Sequence, residues 1–182
     1  MIYTTPKPIW RGALFTAVVL AMLGMVQIGS AAGMDPTAKW AWSTTAGWIN
    51  FNPTAGGDVA VYGDHLEGYI WAENVGWIRL GTHTGGSPHT YGNTAANNYG
   101  VNRVPSGRLT GYAWGENVGW INFAPTGDGV TVDPQTGAFA GYAWGENVGW
   151  ISLKGGSGAT AYGVVTDFHN FQIYLPLVLK PS

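Results

Sequence analysis

The string GYAWGENVGWINF occupies Gly111–Phe123, and GYAWGENVGWISL recurs 30 residues later at Gly141–Leu153. An earlier copy, GYIWAENVGWIRL, runs over Gly68–Leu80, and a degenerate first copy, KWAWSTTAGWINF, over Lys39–Phe51. This fourfold self-similarity restricts the fold more than any other feature of the chain. A unit so short cannot bury an apolar face by itself, so successive copies must pack on one another around a shared core.

Each copy carries two tryptophans six residues apart: Trp42 and Trp48, Trp71 and Trp77, Trp114 and Trp120, Trp144 and Trp150. Gly and Asn between them tolerate a left-handed backbone and mark a tight turn, which predicts a β-hairpin. With Trp114 opposite Trp120, Tyr112 faces Asn122, and these four side chains share one side of the ribbon. Ala113, Ile121 and Phe123 then share the other side, with Phe123 opposite Gly111, where an aromatic is expected to cover the side-chain-free position. After the second Trp, Ile and Phe/Leu flank a polar position (Asn50, Arg79, Asn122, Ser152). That period of two assigns the Ile side to the core.

A leading strand is expected before three of the hairpins, at Val59-Ala60-Val61, Tyr99-Gly100-Val101 and Val130-Thr131-Val132, the last followed by the turn Asp133-Pro134-Gln135-Thr136-Gly137. Copy one lacks such a strand. The segment Tyr162-Gly163-Val164-Val165 is a spare one, followed by Phe171 to Leu175 but by no Trp hairpin. The expected fold is therefore all-β, with four tandem antiparallel hairpin/meander repeats of about 30 residues. The spare half-repeat beside copy one closes them into a barrel- or propeller-like ring with covered edges. An open solenoid is the alternative.

Residues 1–32 read as a signal peptide. Lys7 and Arg11 precede the uncharged stretch Gly12 to Ile28, and Ser30-Ala31-Ala32 offers a small-residue exit with the cut after Ala32. The alternative is an uncleaved anchor, since the apolar run lies near the lower limit of about 17 residues for a spanning helix. Residues 33–175 form one expected domain, 82–98 a long polar loop inserted in it, and 176–182 a C-terminal tail. With no cysteine in the chain, packing and backbone pairing must hold the domain together. Removing Lys7 and Arg11 leaves six basic against ten acidic residues, a formal charge near −4 without any basic run. This excludes the electrostatic footprint of a nucleic-acid binder, and membrane contact is expected only through an uncleaved signal segment.

Glu73, Glu116 and Glu146 share one turn position, with Thr44 in copy one. Equivalent positions give equivalent environments, whereas an acid/base pair needs pKa values pushed apart, so the glutamates are expected to accept hydrogen bonds from turn amides or indoles. His83 and His89 stand six apart in the long loop, with His65 and His169 elsewhere; this is no metal-ligand spacing, and neither metal nor cofactor is expected. Asp58, Asp128 and Asp133 lie in Gly-rich turns without the alternation of a calcium loop. No catalytic motif is present, so a non-enzymatic role is expected.

The aromatic face remains. Tyr69, Trp71, Trp77, Tyr112, Trp114, Trp120, Tyr142, Trp144 and Trp150, with Arg79 and Asn122, are the candidate ligand-binding residues, and Trp40, Trp42, Trp48, Asn50 and Ser152 are their counterparts. Packing of this face as a layer of cross-strand pairs is the favoured reading; flat faces for sugar rings are the other. The GYAWxENVGWIxF/L pattern over Lys39 to Leu153 resembles a repeat of uncharacterised or surface-associated exported bacterial proteins, and that resemblance implies no activity. The expected function is an exported, non-catalytic structural or surface module, secreted or at the cell surface. The alternative is a multivalent lectin-like module whose partner is a polysaccharide or another surface component.

Overall fold

The computed structural model describes residues 31–168; residues 1–30 of the expected signal peptide, His169, the stretch Phe171 to Leu175 and the expected tail lie outside them. Strands β1 (Met34–Ser43) and β2 (Gly47–Asn50) make the first Trp hairpin. A short ladder of β3 (Ala60–Val61) and β4 (Leu66–Glu67) leads to the second, β5 (Tyr69–Ala72) and β6 (Gly76–Arg79). Strand β7 (Val101–Arg103) pairs with the start of β8 (Leu109–Gly115), which forms the third hairpin with β9 (Gly119–Asn122). Strands β10 (Thr131–Val132) and β11 (Phe139–Ala140) precede the fourth, β12 (Tyr142–Gly145) and β13 (Gly149–Ser152). Strands β14 (Lys154–Gly155) and β15 (Tyr162–Thr166) follow, separated by a 3-10 turn at Gly158–Thr160.

The hairpin registers place Trp opposite Trp: Trp42↔Trp48, Trp71↔Trp77, Trp114↔Trp120 and Trp144↔Trp150. Neighbouring hairpins join through one repeated register, the polar residue after the second Trp of one hairpin meeting the first Trp of the next: Asn50↔Trp71, Arg79↔Trp114 and Asn122↔Trp144. The same junction, Trp42↔Ser152, joins β1 to β13 and closes an eight-stranded barrel. The fold is all-β, a closed barrel with additional strands outside it.

An eight-stranded barrel is just wide enough for side chains to fill it. Here each hairpin turns apolar residues inward: Ala41 opposite Ile49, Ile70 opposite Ile78, Ala113 opposite Ile121, and Ala143 opposite Ile151, all buried. Pairing a small residue with a branched one in three of the four cross-strand pairs suits so narrow a space. Phe51, Leu80, Phe123 and Leu153 close one end, where the short ladders add Val61, Leu66, Leu109, Val130, Val132 and Phe139. The Phe51 and Phe139 rings meet there at 5.9 Å.

Short strands stand before three of the hairpins, β3 and β10 within the expected segments and β7 overlapping its segment only at Val101, and β15 pairs with β1 through Lys39↔Val164 and Met34↔Thr166. The reason for glycine at the start of copies two to four differs from the expectation of aromatic cover. Gly68, Gly111 and Gly141 have φ of 93°, 86° and 87°, and a Cβ on any of them would run into the carbonyl of the adjoining segment: Gly57 and Asp58, Gly100, and Gly129. Left-handed backbone and close approach both select glycine.

At the other end the turns are stitched together. Val118 N–H donates to Gly115 C=O at 3.2 Å, closing a four-residue β-turn, and Gly119 follows with a left-handed φ of 71°. Asn74 Nδ2 donates to Thr45 C=O (3.1 Å), Asn117 Nδ2 to Val75 C=O (3.0 Å) and Asn147 Nδ2 to Val118 C=O (3.2 Å), each crossing to the preceding hairpin. Ser43 Oγ donates to Val148 C=O (2.9 Å) and completes the circle. Ala46, Val118 and Val148 are buried beneath it. The hydrogen-bonding role expected of the turn glutamates is thus taken by asparagine; Glu73, Glu116 and Glu146 are exposed.

Candidate functional site

Because strands alternate sides, sending the Ile face inward turns the Trp face outward. Trp42, Trp48, Trp71, Trp77, Trp114, Trp120, Trp144 and Trp150 keep between 36% and 51% of their surface exposed, and Tyr69, Tyr112 and Tyr142 are exposed with them. The result is a girdle around the barrel. One diagonal contact recurs in every hairpin: Trp40–Trp48, Tyr69–Trp77, Tyr112–Trp120 and Tyr142–Trp150 meet edge to face at 6.2–6.3 Å. Such contacts hold the rings in defined orientations. Trp48 and Trp120 each gain a further edge contact, from Tyr162 (5.2 Å) and Tyr99 (4.9 Å).

Open grooves run between girdle residues, three of which are defined by the described residues. The first, ≈ 640 Å³, lies at the first hairpin junction between Trp40, Trp48, Asn50, Trp71 and Glu73, and is walled by Ala159 to Tyr162. The second, ≈ 570 Å³, is its equivalent at the next junction and includes Tyr69, Trp77, Arg79, Trp114 and Glu116. The third, ≈ 490 Å³, has Tyr99, Tyr112 and Trp120 on one side and Asn93 to Ala96 of the long loop on the other. These volumes fall within the range of small-molecule sites, about 300–1,000 Å³.

The polar positions are partly engaged by the protein. Asn50 Oδ1 accepts from Asn52 N–H and Asn122 Oδ1 from Ala124 N–H, both at 2.8 Å, while Ser152 Oγ donates to Lys154 C=O at 2.7 Å. These are local turn bonds at the strand ends. Arg79 Nη2 donates to Thr82 C=O (3.0 Å) with its guanidinium 5.6 Å from the Tyr69 ring centre. The structure thus brings all the candidate residues onto one surface, with Tyr69, Trp71, Trp77, Arg79 and Trp114 in one groove, Tyr112 and Trp120 in another, and Asn122, Tyr142, Trp144 and Trp150 around the far side of the girdle.

A second constellation went unread in the sequence. The loop 82–98 is anchored: Tyr91 packs against Gly81 and Gly100, where no Cβ could fit, and donates its hydroxyl to Leu66 C=O at 3.0 Å. Burial, and then the charge of Glu67, push that hydroxyl's pKa well above the ordinary value. The anchored loop carries His83 and His89 to His65, which lies fully buried at the β3–β4 turn. His65 Nδ1 is 2.6 Å from Asp64 Oδ1 and its Nε2 is 2.9 Å from Glu67 Oε1. His83 Nε2 is 3.0 Å from Gly86 C=O and 3.8 Å from Glu67 Oε1, and its ring stacks on His89 at 3.9 Å. Asp64 Oδ2 accepts from Ser87 Oγ (2.9 Å) and from His89 N–H (2.8 Å). Burial raises the Asp64 pKa, but the bonds from His65, the His89 amide and Ser87 outweigh it and hold the carboxyl below its ordinary value. Burial, with His83 and His65 nearby, lowers the pKa of His89. The linear spacing of these residues carried no signal, because their proximity comes from folding the long loop back onto the β3–β4 ladder.

No family model, curated protein or solved structure matches the chain.

Proposed function

We propose that the protein is an exported, non-catalytic binding module, built from one unit of about 30 residues used four times, whose aromatic girdle takes several copies of one flat, partly apolar ligand. Polysaccharide fits that description best, since sugar rings present C–H faces to indoles and hydroxyls to the Asn, Arg and Glu side chains beside them. The observation that carries the reading is the exposure of both tryptophans in every hairpin. Soluble proteins rarely leave so much contiguous apolar surface open without a use for it. A purely structural role for the girdle would leave the exposed indoles unexplained, although cross-strand pairing does stabilise each hairpin.

The hairpins pair over four residues, a rise of about 13 Å at 3.3 Å per residue, half the apolar band of about 25 Å on a transmembrane barrel. The girdle is therefore suited to a partner lying along the barrel rather than to a bilayer spanned by it. Repetition around a ring permits avidity from individually weak sites. As a surface-associated module, the protein would use the same face to hold itself to a glycan layer.

Retention on a panel of insoluble polysaccharides, followed by titration of soluble oligosaccharides, tests the reading. Binding that quenches or shifts Trp emission is expected, with Trp71→Ala weakening it about tenfold, the loss of roughly one stacked ring. No retention on any glycan by folded protein would remove the lectin reading and leave the girdle as a docking face for another surface component.

A further inference from the structure

We propose that His65, Glu67 and His83 bind one divalent transition-metal ion of the zinc class. One ligand atom from each lies within 4.8 Å of the other two. His65 Nε2 and Glu67 Oε1 are 2.9 Å apart, and His83 Nε2 is 3.8 Å from that oxygen. In a tetrahedral site with bonds near 2.0–2.1 Å, neighbouring ligand atoms stand about 3.3 Å apart. The observed separations bracket that value, so small side-chain shifts admit the ion.

The surroundings of His65 favour the same conclusion. Metal-ligating histidines commonly donate their second nitrogen to a carboxylate, which fixes the tautomer and makes the ligating nitrogen more basic. Asp64 Oδ1, 2.6 Å from His65 Nδ1, stands in that position, and Ser87 Oγ and His89 N–H hold Asp64 in turn. With Nδ1 donating to Asp64, Nε2 points towards Glu67 and becomes the ligating nitrogen once it gives up its proton. Two ligands come from the β3–β4 ladder and one from a loop pinned by Tyr91, so the donor set is largely preformed. His89, whose ring stacks on His83 at 3.9 Å, has a buried Nε2 with no protein partner. Two imidazoles and a carboxylate, without a thiolate, suit zinc, nickel or copper(II) rather than calcium or magnesium, which take oxygen donors. On binding, the proton between His65 Nε2 and Glu67 Oε1 passes to solvent, and His83 leaves Gly86 C=O and carries its ring proton on Nδ1, so that both Nε2 lone pairs face the ion. The proposal does not depend on the girdle's role.

Calorimetric titration of untagged protein with zinc chloride tests the site, together with cobalt(II) substitution read by its visible d–d absorption. One equivalent is expected to bind, with the intense band of a four-coordinate cobalt site. His83→Ala should weaken binding at least tenfold at an unchanged circular dichroism spectrum, and Asp64→Asn by about 10–100-fold. Absence of saturable binding up to millimolar ion, or equal affinity in His83→Ala, overturns the proposal. If a variant does not fold, X-ray absorption of the zinc-loaded wild-type protein decides instead. A shell with two imidazole ligands supports the site, and one without imidazole overturns it.

Discussion

Gly141→Ala and Gly149→Ala differ in a way that isolates the close approach of leading strand to barrel. Both glycines sit in the fourth hairpin at positive φ, 87° and 68°. A methyl group on Gly149 meets no heavy atom within 4 Å, so its cost is the left-handed backbone alone, about 1–2 kcal/mol. A methyl group on Gly141 pays the same conformational cost and also overlaps the Gly129 carbonyl, and packs within 3.5 Å of Val130 Cα. Moving that segment strains Val130 N–H→Phe123 C=O (2.9 Å) and Leu109 N–H→Val130 C=O (2.8 Å), buried bonds whose loss costs about 1–3 kcal/mol. The expected totals are about 1–2 kcal/mol for Gly149→Ala and about 2–5 kcal/mol for Gly141→Ala. At about 3 °C per kcal/mol for a domain of this size, Tm should fall by about 3–6 °C and about 6–15 °C respectively. Differential scanning calorimetry with urea denaturation would measure both. Equal losses in the two variants would refute the claim that the adjoining carbonyl, rather than backbone conformation alone, demands glycine at the start of the motif.

Ser43→Ala removes the bond that completes the circle of turns and leaves the buried Val148 carbonyl and the Ala46 amide without that hydroxyl; a loss of about 1–3 kcal/mol in urea unfolding is expected. Asn117→Ala, at an exposed stitch, should cost no more than about 1.5 kcal/mol, and a larger effect there than at Ser43 would contradict the account of closure. Burial raises the pKa of the Tyr99 hydroxyl. The unfolded chain therefore loses that proton first, so stability is full below about pH 10 and falls as pH rises beyond it, and Tyr99→Phe should flatten the decline in alkaline melts. A decline of undiminished slope in the variant would assign the effect to other groups.

The hairpins were readable because their side-chain period is two and their turns carry Gly at fixed places. Trp114 opposite Trp120 follows from that spacing alone, and Ile121 facing inward follows from Ile recurring beside a polar position. The pairing of Tyr162 to Val165 with the first copy was readable as well, since one copy lacked a strand and one strand lacked a hairpin. Three features required coordinates. Whether a Trp face packs or stays open depends on what covers it, and the long loop, Tyr99 and the Ala159 to Tyr162 segment each reach the girdle. The Asn residues were legible as turn formers but not as links between neighbours, because the link exists only once the ring is curved. His65 and His83 meet through tertiary packing, and a lone histidine in a polar turn carries no trace of a partner 18 residues further on.

Closure of the barrel rests on one junction, Trp42 beside Ser152, between the first and last hairpins. Nuclear Overhauser effects between backbone protons of these two residues test it directly, and the equivalent junctions Asn50 to Trp71, Arg79 to Trp114 and Asn122 to Trp144 serve as internal standards. Four cross-peaks of similar strength are expected. Three junction cross-peaks with none between Trp42 and Ser152 would show an open array of hairpins and contradict the barrel.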